Sequence, residues 1–164
     1  MNHKTSIKIT WMSNQDINAV TPLLSALYQH DTPDAPLQEQ TTIATHATRL
    51  LAPSTPHRLA IGWTPQGTAI GLAAVGFFIS VSDPRPANWQ QVELKELFVL
   101  PEYRGSGIGA ALLDWVEIQA AEKGACRMDW HVKADNTRAI SFYEKHGGTL
   151  LKNRLSMRKP IDTK

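Results

Sequence analysis

The chain opens with strict alternation. Ile7, Ile9 and Trp11 are separated by polar residues, the period of a half-buried strand. The period then lengthens. Ile17, Val20, Leu24 and Leu27 recur every three or four residues and lay an apolar stripe along one helix face. Ser13 can cap that helix, and Asp16 suits its first turn. Thr32-Pro33-Asp34-Ala35-Pro36 breaks it, and a weaker helical pattern follows over 38–51. After a loop at 53–56, residues 59–63 read as strand, with a turn at Pro65-Gln66-Gly67. Residues 69–81 are almost continuously apolar, which predicts a central strand. A loop at 83–88 leads into a strand over 92–99.

Helical spacing returns with Ile108, Leu112, Val116 and Ala120 on one face, flanked by Trp115, and Gly124 ends that helix. Residues 125–132 read as strand. Asp135 or Asn136 caps a short helix to about His146, closed by Gly147-Gly148, and 149–157 read as a last strand. The predicted order is β-α-α-β-β-β-α-β-α-β, an α/β domain with a mixed central sheet. A length of 164 residues suits one domain, spanning 1–164, with a real core.

Composition narrows the chemistry. Seventeen basic and 15 acidic residues give a net charge of +2, too small an excess to argue for nucleic acid. Lys152, Arg154, Arg158 and Lys159 cluster late in the chain, as on a solvated edge strand and tail. The lone Cys126 can form no internal disulfide, no zinc-like spacing exists, and its apolar surroundings predict a small buried hydrophobe. No apolar run approaches the ~20 residues of a membrane span, and no signal peptide is visible. A cytoplasmic protein without membrane or metal partners is expected.

The most informative stretch is Leu97-Phe98-Val99-Leu100-Pro101-Glu102-Tyr103-Arg104-Gly105-Ser106-Gly107-Ile108-Gly109. A strand ends, an arginine follows, and three glycines precede a helix. Glycine allows sharp turns and close approach of a ligand. The helix start supplies unpaired N–H groups and a positive dipole end, and arginine adds a charged fork suited to phosphate. Together they form an anion cradle suited to a pyrophosphate. A nucleotide-binding P-loop would need Gly-Lys-Ser/Thr, but this loop ends Gly109-Ala110-Ala111. A dinucleotide fingerprint fits Gly105-Ser106-Gly107-Ile108-Gly109-Ala110, with Asp129 about twenty residues on. Too little chain follows for the second half of a doubly wound domain.

Arg104-x-x-Gly107-x-Gly109 after a strand resembles the acetyl-CoA-binding motif of the GCN5-related N-acetyltransferases. A second stretch, Asn136-x-x-Ala139-x-x-Phe142-Tyr143-x-x-x-Gly147, resembles another motif of that family. The resemblance covers roughly residues 69–158. It implies a splayed pair of central parallel strands and acetyl-CoA as co-substrate. The N–H groups of Gly105, Ser106, Gly107, Ile108, Gly109 and Ala110, with Arg104, would hold the pyrophosphate. The backbone of Leu97, Phe98 and Val99 would bond the pantetheine arm, with Asn136 beyond. Tyr143 would protonate the leaving thiolate. Homodimerisation is also implied.

Acetyl transfer to an amine needs a base. A primary alkyl ammonium has a pKa near 10.4, and neutralising it at pH 7.4 costs roughly 4 kcal/mol. Glu96 and Glu93 are candidates, of opposite parity along the strand unless a bulge intervenes. Glu96 is a charge on a face it shares with Leu94 and Phe98, suited to a base or to a salt bridge with Lys95 or Arg104. His131 is a third candidate. Tyr28-x-x-Asp31, with Glu96-Leu97-Phe98-Val99, is similar to spermidine/spermine and thialysine acetyltransferases. The acceptor this implies is a small diamine or polyamine, with Tyr28, Asp31, Glu93 and Glu96 at its site. Aminoglycoside or peptide amines, and a non-catalytic CoA-binding module, are the alternatives.

Overall fold

The computed structural model describes residues 7–161. It divides into two compact units, one ending at His131 and one starting at Val132. The first unit holds a five-stranded sheet in the order β1-β2-β3-β4-β5. The strands are β1 (Lys8–Trp11), β2 (His57–Trp63), β3 (Ala69–Ile79), β4 (Gln90–Val99) and β5 (Ala125–Trp130). Neighbours run antiparallel except for the parallel pair β4–β5. Between β1 and β2 come α1 (Ile17–Asp31) and α2 (Gln40–Leu50); α3 (Ile108–Glu122) links β4 to β5. The second unit contains α4 (Thr137–Lys145).

Each sheet face has its own helical cover. On one face Leu59, Ile61, Leu72 and Phe98 join Val20, Leu23 and Leu24 of α1 and Ile43 and Ala47 of α2 in one buried cluster. On the other face α3 approaches closely enough to need glycine. A Cβ at Gly71 would lie 3.1 Å from Leu112 Cδ1 and 3.1 Å from the Phe98 carbonyl oxygen. Leu112 and Val116 are fully buried, and each such side chain contributes about 1.5–3 kcal/mol. Asp16 accepts hydrogen bonds from the N–H and hydroxyl of Ser13, which fixes the entry to α1.

Three expectations are corrected. No strand forms over 149–157: Leu155 and Met157 are almost fully exposed, and the segment is turn and irregular chain. Its spacing imitates a strand, but a strand needs a neighbour for its backbone and a core for one face. Among the described residues it has neither. Cys126 is exposed rather than buried, because it sits on the edge strand β5. The parity of β4 changes midway, and this places the site.

Candidate active site

Strand β4 contains one residue too many for its partner. Ala74 of β3 pairs with Glu96 and Val75 pairs with Leu94, so Lys95 is bulged out. Ala74 and Gly76 share a sheet face, and their partners Glu96 and Glu93 therefore share it too. Leu94 turns to the α3 side, where it is buried, while Phe98 stays on the α1 side with Glu96. The bulge is the exception that the opposite parity of Glu93 and Glu96 left open, and it overturns the expected face common to Glu96 and Leu94. The sequence signal was the adjacent polar pair Lys95-Glu96 inside an alternating strand.

The two acids then differ in partner. Lys95 Nζ lies 2.9 Å from Glu93 Oε1, and His131 Nε2 lies 4.0 Å from the same oxygen. Glu96 has no ion-pair partner among the described residues. It reaches solvent, yet neighbouring atoms desolvate its carboxyl. That desolvation, then the negative charge of Asp31, raises its pKa above the ordinary glutamate value, against a smaller opposing effect of Lys95. A base with raised proton affinity is better matched to neutral pH.

Beyond the bulge β4 loses its neighbour. The parallel ladder ends at Leu94 with Trp130, while β4 continues to Val99. Leu100 donates its N–H to Ile70 O at 3.0 Å. By alternation from that bonded pair, Leu97 and Val99 turn their N–H and C=O groups away from β3 into the opening. Phe98 turns its backbone groups to β3, so of the three residues expected to bond the pantetheine arm only Leu97 and Val99 face the opening, and the Val99 carbonyl already accepts from Arg104. The Phe98 side chain forms a wall, 5.5 Å from the His30 ring and 5.5 Å from the Arg104 guanidinium carbon.

The glycine turn follows directly. A short 3-10 turn, Pro101–Tyr103, leads to Gly105 (φ 80°) and Gly107 (φ 86°), conformations that a side chain disfavours. The first helical bond of α3 runs from Ala111 N–H to Gly107 O. The N–H groups of Ile108, Gly109 and Ala110 thus precede the first intrahelical donor. Arg104 Nε donates to Val99 O at 2.9 Å, which pins the side chain beside the turn. The Ser106 hydroxyl bonds Tyr103 O. This donor set fits a pyrophosphate, and the open edge of β4 fits an extended amide-bearing arm.

On α1, the Tyr28 hydroxyl donates to Pro36 O and accepts from Gln38 Nε2, both at 3.4 Å. Tyr28 and Asp31 line a cavity of about 720 Å³ between α1 and α2, which the sequence did not announce. In the second unit, Asn136 caps α4 by accepting the Ala139 N–H at 3.0 Å. Tyr143 lies two turns later, its ring 5.2 Å from that of Phe142. No helix is long and apolar enough to cross a membrane among the described residues.

A sheet that opens beside a glycine turn at a helix start gives an α/β fold with room for an extended, phosphate-bearing ligand. Residues 18–148 match the Acetyltransferase (GNAT) family, and the chain belongs to it. The family uses acetyl-CoA as co-substrate. An aminoalkylphosphonate N-acetyltransferase from Salmonella typhimurium is 29% identical over 135 residues, 82% of this chain and 80% of that protein. A thialysine N-epsilon-acetyltransferase from Bos taurus is 30% identical over 83 residues, 51% of this chain and 46% of that protein. The chain spans only 26% to 38% of the length of several other curated relatives it matches. An integron cassette protein from the V. cholerae mobile metagenome superposes with a TM-score of 0.85 at 18% identity, covering 96% of this chain and 94% of that one.

Proposed function

We propose that the protein transfers an acetyl group from acetyl-CoA to a primary amine of a small molecule, a diamine or polyamine, by direct attack. Glu96 carries this reading: with Lys95 bulged out, it stands, with raised proton affinity, on the α1 side of the strand whose free edge suits the donor. Two relatives, of thialysine and of aminoalkylphosphonates, are named for amine acceptors.

Bound acetyl-CoA supplies the thioester carbonyl that the amine attacks. Glu96, directly or through a water, takes the proton that keeps the amine cationic. Asp31 holds a second ammonium away from the reacting nitrogen. This avoids a conflict, since a carboxylate beside the reacting amine would favour its unreactive charged form. Glu93 is held by the Lys95 ammonium at 2.9 Å. Arg104 and the N–H groups from Gly105 to Ala110 bind the pyrophosphate. Tyr143 keeps a proton at its hydroxyl for the departing sulfur. A thiol of pKa about 8.5 leaves adequately alone, so this help is modest.

The test is thiol release from acetyl-CoA with diamines, polyamines, monoamines, aminoglycosides and short peptides. Diamines turn over with higher kcat/KM than monoamines of equal length. Equal efficiency for both would remove the diamine reading. Acetyl-CoA binding with no release from any amine would leave a non-catalytic CoA-binding module.

A further inference from the structure

The sheet face that carries Glu96 is not covered along its whole length. On β3 that face presents Leu72, Ala74, Gly76 and Phe78 in turn. Leu72 lies in the cluster under α1 and α2, whereas Phe78 is 40% exposed. Across the strand pair Ala74 stands beside Glu96, and Gly76 stands beside Glu93. The step along β3 from the Glu96 row to the Glu93 row is about 7 Å, two residues of strand.

The Phe78 ring folds back over Gly76. A Cβ at Gly76 would lie 2.6 Å from Phe78 Cε2 and 2.8 Å from Cζ, so the ring occupies the place a side chain would take. It therefore leans along the strand toward Ala74 and the Glu96 row. The carboxylates beside it are already answered. Glu93 holds the Lys95 ammonium at 2.9 Å, and Asp129, its neighbour on β5, holds Arg127 Nε at 2.8 Å. Arg104 and Lys123 stand over Phe98 and Phe77, and among the described residues no cation or second ring stands on Phe78. An exposed ring among neutralised charges suits a flat apolar group, since paired rings gain beyond the area they bury.

We infer that Phe78 is a specificity-determining residue, which receives an aryl group of the acceptor one strand step from the nitrogen that meets Glu96. The inference rests on the acetyl-transfer reading and gives its acceptor site a second arm. Asp31 follows His30, whose ring packs on Phe98, so it answers an ammonium on the side of Glu96 toward the end of β4. Phe78 lies in the other direction. A linear diamine uses the Asp31 arm, and an arylalkyl amine uses the Phe78 arm.

Two pairs of acceptors isolate the ring contact. One is ethylamine and 2-phenylethylamine, the other propylamine and 3-phenylpropylamine; each pair differs by a phenyl group. Within each pair the phenyl amine is the better acceptor by about tenfold in kcat/KM, through a lower KM. Phe78→Ala brings that ratio toward one, and Phe78→Leu retains part of it. Gly76→Ala moves the ring without removing it. The closest atoms its methyl meets are the far end of the Phe78 side chain, so the ring swings aside, the fold is kept and the ratio falls. A melting curve for each variant confirms folding, and a merely structural role for Phe78 would lower both members of a pair alike. Equal efficiency within both pairs, or a ratio unmoved by Phe78→Ala, overturns the inference alone. So does a Phe78→Ala variant that changes oligomeric state and keeps the ratio, which makes the ring a contact between copies. No release with any of the four acceptors, nor with the wider amine panel, overturns acetyl transfer and this inference together.

Discussion

The proposed donor side and the proposed acceptor side of the site use different materials. At the donor side the groups on offer are mostly backbone: the open edge at Leu97 and Val99, and the N–H groups at the start of α3. At the proposed acceptor side they are side chains: Glu96, Glu93 and Asp31. A backbone site is fixed by fold and by φ angles, so few side-chain changes erase it. A side-chain site is open to single substitutions, and specificity can change there while the donor grip persists.

The variants that would break this comparison fall in order of expected effect. Glu96→Gln lowers kcat by about a hundredfold or more, as loss of a general base does, and leaves acetyl-CoA affinity unchanged by calorimetry. If affinity falls as well, the two sides are not separate. Gly107→Ala forces a side chain into the left-handed region at φ 86°. At roughly 1–2 kcal/mol of strain it weakens acetyl-CoA binding about tenfold, with the acceptor KM unchanged. Tyr143→Phe reduces kcat by about three- to tenfold, the scale of modest acid assistance; an unchanged kcat would remove its role as donor.

Smaller and sharper are the pH effects. Asp31 raises the proton affinity of Glu96, so Asp31→Asn moves the acidic limb of kcat/KM to lower pH. A limb that stays in place would mean another group sets it. Because the folded pKa of Glu96 is raised, its ionisation opposes folding. The cost is absent at acidic pH, grows as pH climbs through the ordinary carboxylate range, and is complete above the raised value. Glu96→Gln removes it, so the melting temperature gained by the variant at neutral pH disappears on acidification.

The donor side was legible in the sequence because glycine spacing is a local message. Gly105, Gly107 and the helix start need no distant partner to be read, and the structure sets them where the pattern puts them. The order of strands and helices up to α4 was legible for the same reason, through periods of two and of three to four. The acceptor side depends on register. Whether Glu93 and Glu96 share a face is decided by what Ala74 and Val75 pair with, and parity alone left it open to a bulge. The 149–157 segment failed in reverse, since alternation cannot tell whether a neighbour exists. Arg49 and Asp31 line one cavity only because α2 turns back onto α1.

Lys95 is the one residue of β4 that the alternation does not need. Without it Val92-Glu93-Leu94-Glu96-Leu97-Phe98 alternates regularly, and both acids still face α1. What a straight β4 lacks is the local bend and extra twist that a bulge brings, next to the last residue that pairs with β5. A gene shortened by that single codon would encode the same acids on a sheet with less reason to open. In genetic terms, one in-frame triplet encodes that bend.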